Sequence, residues 1–561
     1  MYIVMCAAVM ISVFLMNYDT YMSGDEIVTY GMANSSSGGW MLSTGRVTKY
    51  LQNEIIGDSL SDTGRRLAQL AGDVIRNKRQ AAYFSYPRPS ESGWYNGEEI
   101  ANWFYVTPAD RFTFGRVYLN AMGDDANSFL YYGLVHLVSS LFPAISAVKW
   151  SAFIVNIICL LISIGLLYRI CGVFTDIEKH KILVCLMYVF SVACLFLTTY
   201  LRAYMLITAI HLAMMLLHLN LYEAVKKRDF RRFRRCVVML LALYPIGYVS
   251  HYTTGLWAVA LGIMTIIYIV GHTARAEWRR YLTIYILSGA AAIVLGILLD
   301  PVSVPGLLTK LSGTNVSLLK SVRETIDSAV VNLFGNKWIC LVAALLLIVG
   351  WFYHKKDEYG KDDIGQDRVL SLRVLGAVLG GYCVLVTLLM KGAYFKTIYP
   401  LLCMTVVLGL CGMYANLCYR RRLVRFALYL GVAAYIYGNV TLMISSKDDE
   451  RGIMTKVEEA LTELDTDELV FLRDHASGYE YFQLLPKRYE QVLFITTTDD
   501  VIDDFVSEKD LKRGHRYTVL VTNGENNKES FEETVKANPY VDTIETVYTG
   551  GNVSVLELNM N

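Results

Sequence analysis

Residues 1–30, MYIVMCAAVMISVFLMNYDTYMSGDEIVTY, decide how the chain is organised. Residues 1–18 are almost entirely apolar, close to the length that spans a bilayer core. No basic n-region opens the stretch and no clear small-residue cleavage site closes it. It therefore reads as a membrane anchor rather than a removable signal peptide. Just beyond it stand two adjacent carboxylates, Asp25 and Glu26, at the start of an expected helix. Acidic residues favour a helix N-terminus in any protein. Their position at the edge of a first span makes them candidates for chemistry as well.

Working outward, about ten more apolar stretches follow. They lie near 146–168, 181–198, 203–223, 237–254, 256–272, 282–299, 330–352, 370–390, 397–417 and 424–445. The expected fold class is thus a polytopic α-helical membrane protein with about 11 transmembrane helices. Composition agrees. Hydrophobic residues make up 54% of the 561 and charged residues only 18%, with a mean hydropathy of +0.36. Soluble domains carry about a quarter charged residues. An ordinary cytosolic enzyme and a disordered chain are both excluded. With 52 Lys and Arg against 51 Asp and Glu, the net charge of +1 offers nothing to nucleic acid.

Loop charges orient the spans. Basic clusters occur at Lys226–Arg235, at Arg275–Arg280, at His354–Lys356 and at Arg420–Arg425. With alternating crossings all four fall on one side, the cytoplasm. The long loop 19–128, a shorter one from Asp300 to about Ala329, and the tail from Ser446 then lie outside. The expected domains are a transmembrane unit, 1–445, and an extracytoplasmic α/β unit, 446–561. The tail alternates helical periods (451–464, 499–511, 529–537) with short β-type runs at Leu469–Leu472, Val492–Thr496, Tyr517–Val521 and Val553–Leu558. It contains no Gly-rich phosphate loop and no nucleophile elbow. All 11 Cys lie at or before Cys418, and none forms a C-x-x-C pair. Outer domains that fold without disulfides suit a bacterial cytoplasmic membrane.

Candidate site residues gather at the outer ends of the spans. Asp125 closes the long loop, followed by Tyr131-Tyr132 on a short apolar segment read as an interfacial or re-entrant helix. Arg202 and Tyr204 interrupt two apolar helices, where an arginine is either functional or snorkels to the headgroups. His251 and Tyr252 sit at another outer end; Tyr394 and Lys396 sit at a third. No comparable concentration of chemistry is expected deep in the spans, which argues against an ion path.

The order of these motifs resembles the multi-spanning glycosyltransferases of the GT-C superfamily, in particular the bacterial branch near family 39 and the protein mannosyltransferases. Asp25-Glu26 with Tyr30 is similar to their acidic motif after the first span. Asp125 and Leu130-Tyr131-Tyr132 match the ends of an Asp-x-His-Pro-Pro-Leu-Tyr-Tyr element, whose His and both Pro are replaced here. Arg202-Ala203-Tyr204-x-Leu206, Ser250-His251-Tyr252, and Tyr394 with Tyr399-Pro400 resemble later elements, with Lys391 or Lys396 for an arginine.

The resemblance implies a GT-C-like fold over roughly 1–415 and transfer of a sugar from a polyprenyl-phosphate donor to an acceptor hydroxyl. The acceptor would be an envelope glycan, a glycolipid or a protein; membrane lipids are further partners. Asp25 would be the base, with Glu26 orienting the acceptor or fixing the helix, and Asp125 positioning the acceptor. Arg202 with Tyr204, and Lys396 with Tyr394, would face the leaving phosphate. His251, Tyr252 and Tyr131 would complete the site. A divalent cation is a candidate cofactor, with Asp25, Asp125 and His251 as ligands, although the spacing is not diagnostic. Two alternatives stand beside this reading. One is a non-catalytic envelope-assembly scaffold on the same fold. The other is a lipid or sugar transporter, which should show internal repeats and broken helices with mid-membrane charges.

Overall fold

The computed structural model describes residues 2–16, 21–35, 57, 59, 61–66, 68–69, 93–122, 129–143, 148–300, 318–342, 344–346, 363–390, 395–420, 422–445, 448–473, 478–485, 488–496, 511–522 and 525–561. The chain opens with α1 (Tyr2–Met16) and α2 (Gly24–Asn34). The long loop contributes β1 (Gly93–Asn96), α3 (Gly97–Ala101) and α4 (Phe114–Met122). The short apolar segment after the long loop is α5 (Phe129–Leu141). The bundle continues with α6 (Val148–Phe174), α7 (Glu178–Val189), α8 (Val192–Thr199), α9 (Tyr204–Lys226), α10 (Phe230–Ser250), α11 (Thr253–His272) and α12 (Arg275–Leu299). It closes with α13 (Leu318–Phe334), α14 (Asp363–Met390), α15 (Tyr399–Arg420) and α16 (Arg422–Ser445).

Every expected apolar stretch is thus at least partly helical. Among the described residues, α6, α9, α10, α11 and α12 are each long and apolar enough to cross a membrane. Two bent pairs bring the number to seven if each is one span. On α12, Leu287, Ile293, Val294 and Leu298 are all exposed. Such an outward apolar surface needs lipid rather than water. The protein is an integral membrane protein.

The bends correct the straight spans expected at 181–198 and 330–352. The first breaks by 58° between α7 and α8; the second by 89° between α13 and Lys337–Leu346. Helix α13 also occupies part of the segment expected to be a loop up to Ala329. A broken helix in a membrane must re-satisfy its freed backbone groups within the protein. One helix serves both breaks. Asn439 of α16 donates to the Phe190 carbonyl at 2.8 Å. One turn earlier, the Tyr435 hydroxyl donates to the Leu333 carbonyl at 2.6 Å. Gly335 turns the second bend at φ 69°, and a Cβ there would lie 2.4 Å from the Asn439 Oδ1.

Basic and site-bearing ends are opposed. Helix α9 runs from Tyr204 to the basic turn at Lys226–Arg228, and α10 returns. At that basic end Arg232 pairs with Glu223 at 2.6 Å and Arg228 with Glu277 at 4.0 Å. At the other end, the Tyr118 hydroxyl of α4 donates to the Leu299 carbonyl closing α12, at 2.9 Å.

After α17 (Asp448–Leu464) the tail adds β2 (Glu468–Arg473), β3 (Gln491–Thr496), β4 (Arg516–Thr522), α18 (Glu525–Lys536), β5 (Val541–Gly550) and β6 (Val553–Met560). The expected helix near 499–511 lies almost wholly outside the described residues. The sheet order is β1-β3-β2-β4-β6-β5. Strand β2 runs parallel to β3 and β4, and the other pairs are antiparallel. The edge strand β1 comes from the first loop, nearly 400 residues away in sequence, with Trp94 opposite Leu493. Loop and tail therefore share one sheet. Alternation along β2 serves two layers. Leu469 and Phe471 face a core continuous with the spans, while Val470 and Leu472 face Phe531 and Val535 of α18.

Trp103 locks this union. It is 4% exposed, and its ring lies 5.2 Å from Tyr95, 5.8 Å from Phe482 and 5.5 Å from Phe494. Replacing so buried a tryptophan with alanine removes contacts that no neighbour can restore. Trp103→Ala is expected to destabilise the loop–tail unit by about 3–5 kcal/mol. Limited proteolysis should then cut the loop and tail at lower temperature than it cuts the spans.

Candidate functional site

The site forms where α2 meets the linker Tyr200–Ala203 between α8 and α9. Helix α2 starts at Ser23, whose N–H and hydroxyl both donate to Glu26 Oε2, at 2.8 and 3.0 Å. This is the capping arrangement that an acidic third residue favours. The other oxygen, Oε1, accepts the Leu201 N–H at 3.0 Å. Glu26 is 9% exposed. Both of its oxygens are committed to the backbone and its capping serine. Of the two roles expected for it, this geometry fits fixing the helix.

Asp25 points the other way and its side chain is 54% exposed. Its Oδ2 accepts from the Tyr200 hydroxyl at 2.6 Å. Its Oδ1 lies 3.7 Å from the Arg202 guanidinium, whose side chain is 15% exposed. Arg202 also reaches the hydroxyls of Thr29 and Tyr132, each at 3.5 Å. Burial first, and the Asp25 charge second, push the Tyr200 phenol well above its ordinary value. The phenol therefore remains a donor to Asp25 at any physiological pH. An accessible carboxylate, a phenol and a guanidinium thus share one surface.

The linker is held from behind. The Asn156 side chain of α6 donates to the carbonyls of Thr198 and Tyr200, at 3.1 and 2.9 Å. These are the orphan acceptors at a helix end. Tyr131 in turn donates to Asn156 at 3.0 Å. Tyr131 and Tyr252 are 0% and 1% exposed, so both act through their neighbours. Tyr204 is partly exposed. It stacks on Tyr200 with centroids 6.1 Å apart and lies 6.3 Å from the His251 ring. His251 closes the row against Tyr252 at 4.3 Å. The Thr253 N–H donates to His251 Nδ1 at 3.2 Å, which leaves that nitrogen the acceptor. Gly247 permits the close approach behind it, since a Cβ there would sit 2.6 Å from Thr254 Cγ2.

Among sequence-predicted residues, the structure brings together Asp25, Glu26, Arg202 and Tyr204, with His251 at the end of the aromatic row. Asp125 and Tyr394 lie outside the described residues. Lys396 is on the short turn Phe395–Ile398 that packs against α9, and its side chain lies outside them too.

No protein-family model and no curated protein matches the chain. Among solved structures it is similar to ArnT from Cupriavidus metallidurans bound to undecaprenyl phosphate. That match has a TM-score of 0.48 and 10% identity, covering 77% of this chain and 88% of that one. The apo state of the same ArnT matches with a TM-score of 0.46 and 8% identity, covering 77% and 87%.

Tyr200 and Asn156 are the members that sequence reasoning missed. A tyrosine beside an arginine at a helix break was a signal available for the first; nothing marked the second. A polar group deep in the spans was also missed. His218 donates from Nδ1 to the Met214 carbonyl at 2.7 Å, and its Nε2 meets the hydroxyls of Tyr244 and Tyr285, each at 3.1 Å. The group bridges α9, α10 and α12. Among the described residues, no three His, Cys, Asp or Glu side chains gather as a metal site.

The two adjacent carboxylates should separate cleanly by experiment. Glu26→Gln places an NH2 group where one oxygen must accept, and is expected to cost about 1.5–3 kcal/mol. Asp25→Asn keeps an acceptor for Tyr200 but removes the charge beside Arg202, and should cost about 1 kcal/mol or less. Thermal unfolding of the purified variants checks both.

Proposed function

We propose that the chain is a GT-C-type glycosyltransferase that moves a sugar from a polyprenyl-phosphate donor to an acceptor hydroxyl. The single observation that carries this reading is the accessible Asp25 carboxylate set 3.7 Å from a mostly buried arginine at the ends of the spans. A base and a fixed cation at a membrane edge suit a substrate whose sugar stands in water and whose tail lies in lipid.

The residues divide the work as follows. The acceptor hydroxyl gives its proton to Asp25 as its oxygen bonds to the anomeric carbon. The bond from that carbon to the phosphate oxygen breaks, and the polyprenyl phosphate leaves with the electron pair. Negative charge grows on the phosphate, where Arg202 stabilises it. The planar guanidinium suits two phosphate oxygens at once. Tyr200 holds the Asp25 carboxylate in one orientation, and Tyr204 offers a partly exposed ring to the sugar. The opposed basic end supports an extracytoplasmic site. A neighbour in fold is bound to undecaprenyl phosphate, and a polyprenyl phosphate is the donor carrier we assign here. The acceptor remains within the class of hydroxyl-bearing envelope glycans, glycolipids and proteins.

Purified protein in lipid nanodiscs, given radiolabelled polyprenyl-phosphate sugars and an envelope extract, should transfer label to an acceptor. Asp25→Asn is expected to lower kcat by about 10²–10⁴-fold. Arg202→Ala should lower kcat/KM by about 10²-fold or more. Full transfer by Asp25→Asn would remove it as the base. Movement of label across the bilayer with no new glycosidic bond would replace the reading with transport.

A further inference from the structure

We propose that Gln483, in the tail, is a positioning residue for the Asp25 site; the catalytic part of this inference rests on the glycosyltransfer reading above. Gln483 lies on the 3-10 turn Tyr479–Leu484, which follows β2 and packs on α2. Its Oε1 accepts the Met22 N–H at 2.9 Å. Its Nε2 donates to the Met22 carbonyl at 2.8 Å and to the Glu480 carbonyl at 2.7 Å. The amide is therefore held at both ends and its orientation is fixed.

Met22 is neither helix nor strand, so its backbone groups need partners from elsewhere. The tail supplies both, across 461 residues of sequence. One peptide plane matters most. Its carbonyl, from Met22, accepts from Gln483. Its N–H, from Ser23, donates to Glu26. The tail and Glu26 thus grip one rigid planar unit from opposite sides. Turning that plane loosens Glu26, which accepts the Leu201 N–H between Tyr200 and Arg202 on the face opposite Asn156's bond to the Tyr200 carbonyl. Tyr200 and Arg202 are the partners of Asp25.

The fit is close along the whole seam. A Cβ on Gly24 would stand 3.0 Å from Glu480 Oε2 and 3.4 Å from Tyr479 Cβ. Tyr21 donates to Glu458 of α17. The tail therefore sets the path by which the chain enters α2. Gln483 touches none of the groups assigned to the chemistry, so its effect on turnover is indirect.

The test uses the full chain in nanodiscs with Gln483→Met, which keeps length and packing but removes all three hydrogen bonds. Hydrogen exchange of the Met22 and Leu201 amides should quicken by about tenfold or more. Exchange in β4 and α9 should stay as in the wild type, which shows that the variant folds. An unchanged Leu201 amide overturns the proposal, because the clamp would then stop at Met22. Gln483→Ala gives a second reading of the same two amides should the methionine disturb packing.

Kinetics supply the other arm. Gln483→Met should lower kcat about tenfold with donor KM within about twofold, the split expected when only transition-state geometry is lost. In Asp25→Asn the same change should lower kcat by clearly less than tenfold, since part of its effect passes through that carboxylate and the rest through Arg202. Additive losses would overturn the positioning role. Absence of transfer by the wild type would sink the glycosyltransfer reading instead, and Leu201 exchange would then decide the clamp by itself.

Discussion

A buried carboxylate needs hydrogen-bond donors, and Glu26 finds them in two places, one of them 175 residues away in sequence. One set is the N-terminal cap of its own helix. The other is the Leu201 amide in the break between two spans. The rest of the site depends on this one bond. It places Asp25, the preceding residue, over Tyr200 and beside Arg202. Helix α2 is already packed into the bundle along Ile27–Asn34, with Asn34 donating to the Phe104 carbonyl at 2.9 Å; the Glu26 bond fixes its first turn against the linker. The adjacent acidic pair is thus one structural and one accessible carboxylate, separated by the direction in which successive helix residues point.

The same requirement, that interior backbone groups be paired, explains how the spans break. Asn156 receives two carbonyls where α8 ends, and Asn439 with Tyr435 receives those freed at two bends. Each amide or phenol donates where water is absent. Of these side chains, Asn156 places the linker Tyr200–Ala203, while Asn439 and Tyr435 hold the two bends. Removing such a donor would leave carbonyls in an apolar medium, at a cost far above that of an ordinary surface change. The His218 group answers the same need within α9, α10 and α12. Its donors and acceptors form neutral bonds, so it ties three helices together while bearing no isolated charge.

Much of the architecture was legible because it rests on local composition. Long apolar runs became helices, and four β-type runs in the tail became strands close to their expected limits. What escaped reading depended on distant partners. Strand β1 is four residues, GWYN, with no alternation to announce it; only pairing with β3 makes it a strand. Strand β5 is an edge strand that carries polar residues along its length, so no buried face marks it. The bend at Phe190 is met by Asn439 and the one at Gly335 by Tyr435, both far along the chain. Within the site, Asp25, Arg202 and Tyr204 could be singled out because charge and aromatic rings at helix ends are unusual. The choice between the two roles expected of Glu26 could not be read, since it rests on the Leu201 amide.

The sharing of one sheet by the first loop and the tail bears on why the site stands where it does. A carboxylate and a guanidinium placed mid-membrane would each carry a large desolvation cost. At the ends of the spans Asp25 keeps half its surface in water while Arg202 is mostly sheltered. That position carries a penalty of another kind, because chain leaving the bilayer has few neighbours to hold it still. Strand β1 and Trp103 tie the loop to the tail, and the turn Tyr479–Leu484 returns that rigidity to the first residues of α2. The sheet domain thus provides, outside the membrane, the fixed surroundings that the spans provide within it. A charge pair can then stay open to water and still be held in one geometry.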